Sequence, residues 1–351
     1  MIRVLKLTVV AVFGLGVLAL LALWIGASMS LDRSYSHTRA SAALPAFQPG
    51  TSQRLVQIAA SGLIFRARIG GFDNPAPKGD LLLLHGFPET SVMYQPLIEA
   101  ATREGYRVVA FDQRGYSPGA RPEGRSSYGM AELTADALAV ADAVGFTRFH
   151  LVGHDWGAAV GWQLAFEAPE RLLTYGALSI PHVAAFAAAI AKDPEQQSRS
   201  SYMAFFWLPW LPEQTFAIND LAALRELYAG HPANHLEEYL AVFGEPGAMT
   251  GALNWYRAAA DGPAKPVGNV SLPILFIWGN EDIAVGRTAV EGQEEFIEGP
   301  FESLELDTGH WLMATATEAV VEAVLDHLDR YAVSRSGEKA AEALQIEGDE
   351  G

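Results

Sequence analysis

The sequence predicts an α/β domain: a mostly parallel central sheet with helices on both faces and a mainly helical lid inserted after the sixth strand. Three observations carry this expectation. Short apolar runs alternate with longer amphipathic segments across residues 51–180 and again across 270–335. The runs at 81–84 and 274–278 are uninterrupted Leu, Ile, Phe and Trp, as central parallel strands buried on both faces require. Between 181 and 269 the alternation stops, and a stretch rich in Trp, Tyr, Phe and Pro reads as mostly helical.

Residues 1–50 precede the domain. Positions 7–27 are a run of 21 uncharged residues in which Thr8 is the one clearly polar member. As a helix it rises about 32 Å, the thickness of a hydrocarbon core. Arg3 and Lys6 precede it and Asp32 and Arg33 follow, so the expectation is a membrane anchor with an exported body. A cleaved signal peptide is the alternative, its apolar region being longer than usual. A Ser/Ala/Pro-rich linker leads to Gly50. An opening hairpin is expected at 54–58 and 63–69, with further strands at 80–85, 107–112, 149–153, 174–180, 273–278 and 303–306. Helical patterns lie at 94–104, 131–144, 158–167, 288–296 and 318–331. Residues 336–351, with Glu338, Glu342, Glu347, Asp349 and Glu350 against Lys339, read as a solvated tail.

Composition narrows the chemistry. The chain has 24 basic and 41 acidic side chains, a formal charge of −17, and no Lys/Arg-rich stretch, which disfavours nucleic acid as a partner. It has no cysteine, so disulfides, thiolate zinc sites, iron–sulfur clusters and cysteine nucleophiles are excluded together. Catalysis must use oxygen or nitrogen groups, and neither a cofactor nor a metal is expected. Nothing in the sequence reads out an oligomeric state.

The sharpest motif is Leu151-Val152-Gly153-His154-Asp155-Trp156-Gly157-Ala158-Ala159, which leaves an apolar strand and enters a helix of small residues. It is a nucleophile elbow with Asp155 in the nucleophile position, its carboxylate favoured by the helix N-terminus. The bland alternative is that Asp155 merely caps the helix. Two features weigh against capping. His85-Gly86-Phe87-Pro88-Glu89 follows the strand at 81–84, where an oxyanion loop belongs. Asp282 closes one later strand and His310 follows the next, giving nucleophile, acid and histidine in the chain order of an α/β-hydrolase triad. Gly115-Tyr116-Ser117-Pro118-Gly119 matches the serine-esterase pattern, but no helix follows it and it lies one strand too early, so Ser117 reads as a loop residue.

A carboxylate nucleophile is a poor acyl acceptor, but it displaces at carbon to give an alkyl ester, which a histidine-activated water then hydrolyses. A halide leaving group needs polar N–H donors; an epoxide oxygen needs proton donors such as phenols. On these motifs, together with Asp112-Gln113-Arg114-Gly115-Tyr116, Asn254-Trp255-Tyr256-Arg257 and Gly309-His310-Trp311, the chain resembles the soluble and microbial epoxide hydrolases of the α/β-hydrolase superfamily over residues 56–331. The resemblance implies that Tyr256 and Tyr202 are lid tyrosines that activate the epoxide oxygen. It also implies that the backbone N–H groups of Phe87 and Trp156 form the oxyanion hole, and that the partners are a small apolar epoxide and water. The N-terminal apolar run and the residues after Trp311 depart from the family pattern. The competing readings are a haloalkane dehalogenase with the same Asp nucleophile, against which Phe87 stands where a halide-binding amide belongs, and a membrane-tethered binding protein without chemistry.

Overall fold

The computed structural model of the chain describes residues 43–262 and 265–332, together with Gly16, Leu18, Leu21 and Ala22. Those four positions aside, the run at 7–27 lies outside the described residues, as does the acidic tail at 336–351. Among the described residues no helix is long and apolar enough to cross a membrane.

The domain opens on the hairpin of β1 (Leu55–Ala60) and β2 (Leu63–Gly70). Ser61 and Gly62 form its two-residue turn, both at positive φ, the geometry that matches strand twist. Then follow β3 (Gly79–Leu84), α1 (Gln95–Arg103), β4 (Tyr106–Phe111), α2 (Met130–Ala143), β5 (Phe149–His154), α3 (Trp156–Glu167) and β6 (Leu172–Leu178). After an insertion come β7 (Ile274–Gly279) and β8 (Phe301–Leu306). The sheet order is β1-β2-β4-β3-β5-β6-β7-β8. β2 runs antiparallel to β1 and β4; every pairing from β4 to β8 is parallel.

Strand pleat sorts the core into two layers. Leu81, Leu83, Val108, Ala110 and Ile277 face Leu97, Ile98 and Ala101 of α1 and the helix that closes the domain, while Leu82, Leu84, Val109 and Leu151 face α2 and α3. Both faces of β3 are therefore covered, which is why its last four residues are all leucine, with no polar alternation.

The insertion between β6 and β7 holds α4 (Val183–Lys192), α5 (Pro194–Arg199), α6 (Tyr202–Phe206), α7 (Leu211–Leu227), α8 (Ala233–Phe243) and α9 (Ala248–Ala260). α7 is broken where Asn219, Asp220 and Leu221 take left-handed dihedrals. The insertion packs onto the loops at the C-terminal ends of β3 and β4. Tyr228 Oη donates to the Pro88 carbonyl, and Trp255 Nε1 donates to that of Arg114 at 2.9 Å. Glu238 of α8 pairs with Arg66 at 2.9 Å and with Arg68, and Arg66 is also paired with buried Asp112 at 2.8 Å.

Several elements differ from the sequence expectation. The helix expected at 288–296 divides into α10 (Arg287–Glu291) and a 3-10 turn at Glu294–Phe296, because Gly292 ends the first piece. The segment at 94–104 is a 3-10 turn, Ser91–Tyr94, leading into α1 with a proline in its first turn. After β8, a short α11 (Leu312–Thr315) precedes the closing helix α12 (Thr317–Arg330). β6 and β8 each begin two residues earlier than their apolar runs.

Candidate active site

β5 ends at His154 and α3 begins at Trp156, so one residue, Asp155, makes the turn. It does so at φ 51°, ψ −121°, a conformation costly for a residue with a Cβ. The turn is tight enough to exclude side chains around it. A Cβ on Gly157 would stand 2.1 Å from the Leu84 carbonyl oxygen, and one on Gly86 would stand 2.3 Å from Asp155 Cβ. The strained elbow lifts the Asp155 carboxylate over the C-terminal edge of the sheet, where open α/β sheets place their ligands.

Asp155 Oδ1 accepts the Phe87 backbone N–H at 2.7 Å. Trp156 opens α3, where the first amides have no intrahelical acceptor. On the other side, His310 Nε2 lies 3.6 Å from Asp155 Oδ2. His310 Nδ1 is 2.7 Å from Asp282 Oδ2, and Asp282 Oδ1 accepts the N–H groups of Ala284 at 2.7 Å and Val285 at 3.0 Å. All three side chains are buried. Burial disfavours the His310 imidazolium, but the charge of Asp282 and the contact with Asp155 outweigh it and hold the pKa up at about 10. Asp282, His310 and Asp155, far apart along the chain, thus meet in one line of polar contacts, with the Phe87 amide at its far end.

In front of Asp155 is a cavity of about 480 Å³, lined by Trp156, Ile180, Phe186, Met203, Tyr202 and Tyr256 among others. The Tyr202 and Tyr256 rings lie 6.1 Å apart, and Tyr256 packs edge-on against Trp156 at 5.0 Å and Phe87 at 5.5 Å. Burial raises both phenols, and the nearby Asp155 carboxylate raises them further, so both stay protonated. The segment around Tyr256 is tied down by its neighbours. Arg257 pairs with Glu213 at 2.7 Å and donates to the carbonyls of Phe206 and Leu208.

Ser117 plays no comparable part. Fully buried, its hydroxyl donates to the Asp112 carbonyl at 2.7 Å and accepts the Arg66 N–H at 2.8 Å, so it braces a loop.

Other residues around the site carried no role in the sequence reading. Ser179 Oγ donates to the His310 carbonyl at 3.0 Å. His154 Nε2 lies 2.9 Å from the same oxygen, which requires a proton on that nitrogen. His154 Nδ1 lies 3.1 Å from Glu89 Oε2, and His231 lies 3.5 Å from Glu89 Oε1. Burial opposes ionisation of Glu89, yet contacts with these two histidines hold its pKa well below the carboxylate range. Glu89 and His154 stand inside the two quoted motifs; His231 has no local signal, because its relation to them is purely spatial. Among the described residues no group of three His, Asp or Glu side chains is arranged to hold a metal ion.

Comparison with known proteins adds to this geometry. A family model described as the alpha/beta hydrolase fold matches residues 81–199. The chain is 32% identical over 277 residues to epoxide hydrolase 4 of Homo sapiens, covering 76% of this chain and 75% of that protein. It is 32% identical over 296 residues to epoxide hydrolase A of Mycobacterium tuberculosis, covering 71% and 89%. A solved structure described among novel epoxide hydrolases from metagenomes of hot environments superposes with a TM-score of 0.68 at 27% identity, over 79% of this chain and 99% of that one.

Proposed function

This chain belongs to the epoxide hydrolases of the α/β-hydrolase superfamily, and from that membership we propose that it converts an epoxide to a vicinal diol through a covalent ester on Asp155. The observation that carries the reading is the position of the Asp155 carboxylate, between the Phe87 amide, the His310–Asp282 pair and a cavity faced by two phenols.

Asp155 Oδ1 is held by the Phe87 N–H, which leaves Oδ2 to attack an epoxide carbon. As the C–O bond breaks, the ring oxygen takes a proton from Tyr256 or Tyr202, and an alkyl ester of Asp155 results. Esterification removes the Asp155 charge, one of the influences that hold the proton on His310. That proton passes to the tyrosinate and restores the phenol, and the neutral imidazole, oriented by Asp282, then takes a proton from water as that water attacks the ester carbonyl carbon. Oδ1, now the carbonyl oxygen, carries the developing charge into the N–H groups of Phe87 and Trp156. Collapse expels the alkoxide with Oδ2 in it, the new carboxyl proton goes to the alkoxide, and the proton taken from water stays on His310, which restores the resting state. The product is a diol, and Asp155 keeps one oxygen from water.

A single turnover in heavy-oxygen water tests this balance. Label is expected in Asp155 and none in the first diol released; label in that first diol means direct attack by water and removes the ester from the mechanism. The run at 7–27 is proposed as a retained anchor with the catalytic domain exported. It predicts a full-length chain that stays with membranes through alkaline carbonate extraction, whereas a released, shortened chain identifies a cleaved signal peptide.

A further inference from the structure

The mouth of the cavity carries a knob of exposed apolar side chains. Trp207, Leu208 and Trp210 are 49%, 43% and 46% exposed, with exposed Pro209 between them, and Trp207 also lines the cavity. Elsewhere in the described domain, the exposed large apolar side chains Ile64, Phe166 and Ile283 stand singly in the sequence. Four consecutive apolar residues in water mark a surface that meets something.

The knob is also held in place. The buried Arg257 guanidinium, paired with Glu213, donates to the carbonyls of Phe206 at 3.1 Å and Leu208 at 2.7 Å and fixes the backbone that bears it. Trp210 sits at φ 47°, ψ −26°, in the left-handed region that disfavours a bulky side chain. A buried ion pair and a strained residue thus hold apolar side chains outward, where hydrophobic collapse alone would fold them in.

The chain itself indicates what covers them. Its 21-residue uncharged run at 7–27 has the length of a bilayer span, and the following residues 28–42 reach up to about 50 Å when extended. That matches the diameter of about 50 Å expected of a domain of this size, so the linker lets the knob face the bilayer. Trp at an apolar rim suits the interfacial layer. A charge of −17 favours zwitterionic over anionic headgroups.

We propose that Trp207, Leu208, Pro209 and Trp210 seat the cavity mouth in the interfacial layer of a zwitterionic bilayer, and that the substrates are long-chain apolar epoxides dissolved in that bilayer. The substrate half rests on the epoxide reading above; the docking half does not.

The absence of cysteine allows a clean test on the full chain. A nitroxide label is placed at Leu208→Cys and, as control, at Glu104→Cys, exposed at the opposite edge of the sheet just before β4. In phosphatidylcholine vesicles the label at 208 is expected to collide more with oxygen than with an aqueous nickel complex, and the label at 104 the reverse. Aqueous collisions dominating at both positions overturn the docking, as does spin–spin broadening at 208, which means contact with a second copy.

A kinetic arm uses the double variant Leu208→Ser, Trp210→Asn. Turnover of a long-chain 1,2-epoxyalkane in the vesicles is expected to fall about tenfold, with turnover of a short water-soluble epoxide unchanged. Equal loss on both substrates overturns the substrate half. If the wild-type chain hydrolyses neither epoxide while the 208 label is in the bilayer, the docking stands and the epoxide reading falls.

Discussion

In the proposed mechanism Tyr256 and Tyr202 share one task, and the structure holds them with different firmness. Tyr256 is buried on α9 and wedged between Trp156 and Phe87, while Tyr202 is only partly buried at the start of the five-residue α6. A donor fixed by packing delivers its proton along one line; a looser one pays orientation entropy on each turnover. Tyr256→Phe is therefore expected to slow ester formation about 10²-fold, with ester hydrolysis changed far less, because the phenol acts on the leaving oxygen. Rapid-quench measurement of ester build-up and decay checks this, and equal slowing of both steps removes Tyr256 from ring opening. Asp155 and His310 were legible in the sequence because each sits in a local motif whose residue types serve its chemistry. Tyr202 was placed by resemblance alone, since an aromatic lid offers many tyrosine-like positions and only proximity to Asp155 distinguishes one.

Among the elements, the loop after β4 is the joint between sheet and insertion. Asp112, at the end of β4, accepts from Arg66 of β2 and from the N–H and hydroxyl of Ser91, and Arg66 in turn reaches Glu238 of α8. Burial raises the Asp112 pKa, but the charges of Arg66 and Arg68 and the hydrogen bond from Ser91, among others, together outweigh it and hold the value at about 2. Removing one member of a buried pair leaves the other uncompensated, so Asp112→Asn is expected to destabilise the chain by about 3–5 kcal/mol, read from chemical denaturation. The sequence displayed Asp112 only as part of a motif. Its partners lie 21, 46 and 126 residues away in the chain or through a shared arginine, and no periodicity reports such a distance. Outside the insertion, strand and helix positions were readable to within about two residues, because a two-face-buried strand and an amphipathic helix write different apolar periods; within it the sequence read only as mostly helical. The exception, the split at Gly292, arises where local backbone conformation interrupts a pattern that the side chains continue.

For the molecule as a whole, the triad's electrostatics set a pH dependence of stability. The His310 pKa is about 6.5 in an unfolded chain and about 10 in the fold, so the folded state binds the proton more tightly between these values. The resulting stabilisation is complete below about pH 6.5 and is lost as pH rises toward 10. The denaturation midpoint is expected to fall across that window in the wild-type chain and to stay flatter in His310→Gln. Buried Tyr94, Tyr116 and Tyr175, whose pKa values burial raises, add their own decline only above about pH 10. The amino-acid sequence by itself determined the layered α/β architecture, the elbow at Asp155, the chain order of Asp155, Asp282 and His310, and the absence of any thiol, which leaves a carboxylate as the proposed attacking group. Local periodicity and turn chemistry carry that information. Only the tertiary structure decided which Asp155 oxygen faces the Phe87 amide, that Glu89, His154 and His231 gather behind His310, and that Arg257 holds an apolar knob at the mouth of the cavity. Those are relations between segments far apart in the chain, and through-space distance, which fixes charge, desolvation and contact, is written in no single stretch of residues.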